Sequence, residues 1–224
     1  MVHKEPRRRG RPRAYNPDEA LAAATAAFWR LGFSGASVDQ LSDATDMNRP
    51  SMYAAFGDKR ALYLKTLDRY IEQSHATVRR VLDYDRPLGE VLRNFYKTAL
   101  AAYLPDGERP RGCYLIGTAA TEAVMDPEVR AKLRDALDGI EHALVARIAH
   151  ARKLGQLAQT ADPAALGMVA SAILYSLAVR SRAGDPRPVL ESLIDAGVAL
   201  IASPSRDGLV SKQRRTRGPR TARK

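Results

Sequence analysis

At 224 residues with a formal net charge of +11, the chain is long enough for one large domain or two coupled ones. A hydrophobic share of 45% rich in Ala and Leu, only 6% aromatic residues and no sustained period-2 alternation exclude a β protein and predict an all-α fold. No apolar run approaches the ~20 residues that span a bilayer, no apolar core follows the basic N-terminus as in a signal peptide, and Cys113 has no second cysteine to pair with, so the expectation is a cytoplasmic protein with no membrane partner.

The charge sits at the ends. Residues 1–13 hold six basic residues and one acid, and residues 205–224 hold eight and one, so the tails carry +5 and +7 and residues 14–204 are left at −1. Both tails lack apolar periodicity and are expected to be disordered. In the first, Arg9-Gly10-Arg11-Pro12 resembles the core of an AT-hook, whose Arg9 and Arg11 would enter the narrow minor groove of A·T-rich DNA, where negative potential is concentrated. A basic arm that touches only phosphates is the other reading, and four residues do not separate the two. The second tail, from Lys212 to Lys224, has no such core and reads equally as a DNA tether or a solubilising tail.

A first helix is predicted over 17–31. Pro17 suits a helix start, Asp18 and Glu19 favour the positive first turn, and Leu21, Ala24, Thr25, Phe28 and Leu31 share one face before Gly32. The stretch Ser37 to Lys59 then shows two short helical patterns around a tight turn. Ser37 is an N-cap, and Val38, Leu41 and Thr45 line one face. Asp46 tolerates a left-handed turn and Met47 plugs the corner. Asn48 caps the next helix, Pro50 fits its first turn, and Met52 and Phe56 point inward. Gly57 stops that helix and Asp58 caps the one after it. Arg49, Ser51, Tyr53 and Ala54 remain outside. Caps, turn and breaker together are the layout of a helix-turn-helix, which offers its second helix to the DNA major groove.

From about Asn16 to Tyr70 the chain resembles the TetR/AcrR family of one-component transcriptional repressors. The residues that carry the resemblance are Phe28-Trp29-Arg30-Leu31-Gly32-Phe33, Ser37-Val38, Pro50-Ser51-Met52-Tyr53, Phe56 and Asp58-Lys59. The chain departs from the family's usual pattern with Asp46 in the turn and Ala36 before Ser37. A weaker match surrounds Arg111-Gly112-Cys113 and Asp126-Pro127-Glu128-Val129. The resemblance implies a three-helix DNA-binding domain over 14–60, joined by a connecting helix to a larger helical ligand-binding and dimerisation domain over 61–204. Arg49, Ser51 and Ala54 are candidates for base edges, and Ser37, Tyr53 and Lys59 for phosphates. The implied function is a ligand-responsive repressor released from a palindromic operator. Its partners would be double-stranded DNA, a small-molecule effector and a second copy of the chain. Because residues 14–60 hold four basic residues against six acids, this domain alone would attract the phosphate backbone weakly. The competing class is an architectural DNA-binding protein driven by its basic tails.

A fourth helix is predicted over 59–82, with Leu62, Tyr63, Leu67, Tyr70 and Ile71 at helical spacing. Further helices are predicted over 88–103, 112–125, 127–154, 162–183 and 186–202, separated by Pro, Gly and Asp breakers. Residues 164–179 contain no charge, and a helix apolar all round must be buried on several sides. The resemblance implies that the last two helices form a four-helix dimer interface, with Met168, Ile173, Leu174, Leu190, Leu193, Ile194 and Val198 as candidates. An internal hairpin is the alternative. It also implies an effector cavity, for which Phe95, Tyr96, Tyr103, Tyr114, Thr118, Glu122, Met125 and Tyr175 are candidates. Ordinary core packing is the alternative for each, and a solvent-facing carboxylate the alternative for Glu122.

No catalytic, metal or cofactor site is expected: His3, His75, His142 and His150 are scattered, and no HExxH, CxxC or nucleophile-elbow pattern occurs. Cys113 reads as a small packing residue, with a redox-sensing thiol as the other reading.

Overall fold

The computed structural model describes residues 15–83, 85–107 and 109–203. Arg9, Arg11 and both basic tails lie outside these residues. The described chain is helical and contains no strand: α1 (Pro17–Gly35), α2 (Val38–Thr45), α3 (Arg49–Phe56), α4 (Lys59–Leu82), α5 (Leu88–Tyr103), a π-helix (Leu115–Ala119) running into a short α6 (Ala120–Glu122), α7 (Pro127–Lys153), α8 (Pro163–Ala183) and α9 (Arg187–Ile201). It divides into two compact units, one ending at Thr66 and one starting at Leu67, so the boundary falls inside α4 and not after residue 60. The reason is packing: the Tyr63 ring lies 5.1 Å from that of Phe28 and 4.8 Å from that of Phe33, and Leu62 is buried with it. The first turns of α4 are therefore core of the first unit.

In that unit the local chemistry closes each short helix. Asn16 accepts from Asp18 N at 3.0 Å to start α1, and helical geometry breaks at Gly32 with φ 75°, where the sequence placed the stop. Ser37 accepts from Gln40 N, and the Gln40 side chain accepts in return from Ser37 N, a reciprocal capping box. Asp46 adopts the left-handed conformation with φ 50°, and Met47 N bonds back to Ser42 O at 3.1 Å. Asn48 then accepts from Ser51 N at 2.9 Å, and Asp58 from Ala61 N at 2.7 Å. Leu41, Met47, Met52 and Phe56 are buried beneath these turns.

The second unit has one continuous apolar core drawn from α4, α5, α7, α8 and α9, with Leu92, Tyr96, Leu144, Ile148, Leu177 and Leu190 at its centre. Tyr96 buries its ring and donates to Ala170 O at 2.9 Å, so the hydroxyl carries no unsatisfied cost. The expected α-helix over 112–125 is replaced by an irregular start, the π-helix and one turn of α6. Gly112, at φ 63°, approaches α8 so closely that a Cβ there would lie 2.5 Å from Ala178 O. Only a glycine fits at that approach, and the π-helix begins after Tyr114.

Candidate DNA-binding surface and effector domain

α3 buries Met52 and Phe56 and exposes Arg49, Ser51, Tyr53 and Ala54, with Tyr53 45% accessible despite its aromatic ring. Arg49 is not a free cation: its Nε donates to Asp39 Oδ1 at 2.7 Å and its Nη2 reaches the same oxygen. That hydrogen bond, then the Asp39 charge, raises the guanidinium pKa. Lys59 is half-buried with Nζ 4.6 Å from the centre of the Phe33 ring, which aims its charge. Ser37 is exposed at the start of α2, where its oxygen is already the cap.

The candidate effector residues separate into three groups. Phe95, Tyr96, Tyr103, Tyr114 and Thr118 are buried, and Tyr175 and Glu122 are half-buried. Met125 is 86% exposed. It therefore lines no enclosed cavity, because α6 ends at Glu122 and the turn that follows lifts Met125 into solvent.

The aromatic residues come together around two side chains that the sequence pattern does not put at the centre. Tyr70 lies with its ring 5.3 Å from Tyr114 and its hydroxyl 3.6 Å from Cys113 Sγ. Burial pushes the hydroxyls of Tyr70 and Tyr103 well above the ordinary tyrosine range, and Cys113 beside them adds to the shift. Tyr175 is pushed up to about 12 by burial and then by the charge of Glu141. These are neutral donors and acceptors in an apolar setting.

Five candidates for the dimer interface need correction. Ile173, Leu174, Leu190, Ile194 and Val198 belong to the core of the unit itself, with Leu193 half-buried, so of the seven only Met168 is exposed and Leu193 partly so. α8 and α9 pack closely because of Gly197: a Cβ there would lie 2.6 Å from Ile173 Cδ1. The apolar residues left outside are Met168 (54% exposed), Val169, Val179 (54%), Val189 and Leu200 (67%). On α8, Met168, Ala172 and Val179 share a stripe, and on α9 Val189, Leu193, Ala196 and Leu200 do. A second correction concerns α8 itself. Its 21 residues are long and apolar enough to cross a membrane by length and composition alone, with 39% of the apolar window buried. Small uncharged Ser and Gly among its Leu, Ile and Val leave the mean hydropathy high, while the core takes one face and the exposed stripe the other.

Two family profiles match in succession, one described as bacterial regulatory proteins of the tetR family over residues 20–66, the other as the tetracyclin repressor-like C-terminal domain over 87–196. The chain belongs to the TetR family of transcriptional regulators. It is similar to the HTH-type transcriptional repressor BdcR of Escherichia coli K12, 35% identical over 132 residues that cover 58% of this chain and 64% of that protein. It is also similar to the repressor ComR of the same strain, 26% identical with 79% and 84% covered. Among solved structures, a cysteine mutant of the TetR family regulator CifR bound to 26-bp double-stranded operator DNA is 30% identical, with a TM-score of 0.72, 84% of this chain covered and 98% of that one. The sequence resemblance over 16–70 thus extends to both units, and the helical two-part fold inferred from it is the one observed.

Proposed function

We propose that this protein is a homodimeric repressor whose α3 reads a palindromic operator and which leaves that operator when a small molecule binds the second unit. The observation that carries the reading is α3: a capped helix following a tight left-handed turn at Asp46, with Arg49, Ser51, Tyr53 and Ala54 exposed along it. In this reading Arg49, Ser51 and Ala54 meet base edges, while Ser37, Tyr53 and Lys59 set position on the phosphates. CifR was solved on operator DNA, and BdcR and ComR are named repressors, which supports both the partner and the sign of regulation. The exposed stripes of α8 and α9, with Met168, Val179 and Leu200, pair with those of a second copy, so two α3 helices meet two half-sites. A protein that works on DNA in this way acts in the cytoplasm and needs no catalytic group.

The test is competition between a duplex selected by the purified protein and a random duplex at fixed salt. Preference for the selected, two-fold-symmetric duplex is expected. Equal affinity would leave the tails as the binding element and make the protein an architectural one. The same assay reports on the basic arm. Removing residues 1–13 is expected to flatten the dependence of log affinity on log salt by about 0.9 for each phosphate that the arm neutralises, and an unchanged slope would remove the arm from the interface.

A further inference from the structure

A concavity of about 750 Å³ opens in the second unit, away from the aromatic cluster, with the last turns of α4 and α7 as its walls. Arg147 lies in its wall. On α7 this residue continues the core stripe of Ala136, Ile140, Leu144 and Ala151, and it is only 6% exposed. Its Nη2 donates to Arg86 O at 2.6 Å, whereas Nε and Nη1 are buried and have no hydrogen-bond partner among the described residues. Burial lowers the guanidinium pKa and the charge of Asp85 opposes that shift. Asp85 and Asp83 also line the concavity but are exposed, so water screens their attraction. A buried cation with unused donors is costly to keep, and a ligand of opposite charge removes the cost.

The rest of the wall says what kind of ligand. Arg79 and Arg80 stand exposed at the rim with His150, so three arginines outweigh the two aspartates. Leu82, Ala143, Ala146 and Leu154 make the remainder apolar. The volume is within the range of about 300–1,000 Å³ usual for small-molecule sites, where apolar walls combine with a few polar anchors. We propose that this concavity binds a small organic anion, a carboxylate on an apolar body, with Arg147 holding the charged end and Leu82 and Leu154 covering the apolar one. The binding site stands on its own observations. That its occupation releases DNA rests on the repressor reading above, with α4 as the shared wall.

The experiment uses the full chain and three probes at constant ionic strength: octanoate, octanol and inorganic phosphate, followed by calorimetric titration. Octanoate is expected to bind at least about tenfold more tightly than either of the others, since a hydrogen-bonded charge pair and an apolar contact each add to affinity. Arg147→Met is expected to weaken octanoate about tenfold or more while leaving the melting temperature equal or higher, because an apolar chain replaces an under-partnered buried charge. A structural role would instead lower the melting temperature and leave octanoate affinity alone. Arg80→Gln, on the exposed rim, is expected to weaken octanoate by a few-fold without disturbing the fold, and it reports even if the first variant fails to fold. The proposal is overturned if octanoate does not bind, if octanol or phosphate matches it, or if neither variant changes its affinity. Operator affinity with and without octanoate is measured separately. Binding without release of DNA would leave the site standing and remove the effector role assigned to it.

Discussion

In the first unit α2 and α3 are eight residues long, whereas α5, α7, α8 and α9 of the second run for 15 to 27 residues. Helices as short as the first pair are marginal by themselves, and each carries a side-chain cap: the Ser37–Gln40 box on α2 and Asn48 on α3. In the second unit α7 and α8 are likewise capped, by Asp126 and Asp162, whereas α5 and α9 begin at Pro87 and Pro186 with no side-chain cap. The first N–H of α5 is taken instead by Gln156 Oε1 at 2.8 Å, a partner 68 residues away. Both short helices of the small unit thus depend on local caps, whereas the large unit mixes capped helices with two, α5 and α9, that rest on burial and, for α5, on a distant partner. That leaves the large unit free to expose whatever its core does not need, including the α8 and α9 stripes and the arginine-lined concavity.

The contrast within the large unit gives the largest expected effects. Leu174→Ala, in its core, is expected to cost about 2–5 kcal/mol of stability, read by chemical denaturation, because it leaves a cavity. Val179→Glu with Leu200→Glu, on the exposed stripes, is expected to cost the protomer little. It should convert dimer to monomer by sedimentation and abolish high-affinity operator binding. A double variant that stays dimeric would place the interface elsewhere.

The contrast between units predicts a smaller effect. Asn48→Ala is expected to lower stability by about 1 kcal/mol, and Ser37→Ala by about 0.5–2 kcal/mol, through loss of the cap. In operator binding both are expected to show more than in melting of the large unit. Pro87→Ala, where no cap exists, is expected to change neither. Smallest is Asp39→Asn, which releases Arg49 from its carboxylate. It is expected to leave the fold intact and raise affinity for operator and random duplex alike, with a steeper salt dependence. An unchanged affinity would mean that Arg49 reaches DNA with the ion pair in place or does not reach it.

Much of the small unit was legible because its signals are local. Ser37, Asp46, Asn48, Gly57 and Asp58 each specify a backbone conformation within a few residues of themselves, and all five sit in the structure as the sequence suggests. Gln40 was the part missed, although its spacing of three from Ser37 is a capping-box signal. In the large unit the limits of α5, α7, α8 and α9 were legible, whereas the break of 112–125 into a π-helix and α6 was not, and facing was much less so. α8 is apolar on every side, so periodicity could not say that Ile173 and Leu174 face inward and Val179 outward. Met125 was misplaced because one turn of chain after α6 decides its exposure. Arg147 was missed because an arginine on a core stripe reads as a surface residue. Its spacing from Leu144 and Ala151 was the available clue.

By itself the sequence determined an all-helical chain, a capped helix-turn-helix with Arg49, Ser51, Tyr53 and Ala54 on its outer side, family membership, and a charge held in the tails. These follow from short-range rules, in which a cap, a turn residue or a charge acts within a turn or two of its own position. Tertiary structure alone decided which side of α8 and α9 is core, how Tyr70 and Tyr103 surround Cys113, and that Arg147 is buried with two nitrogens unpaired beside a concavity. Those depend on which distant helices pack together, and on a Gly at 197 that lets two of them approach. No periodicity within one helix encodes that choice of neighbour.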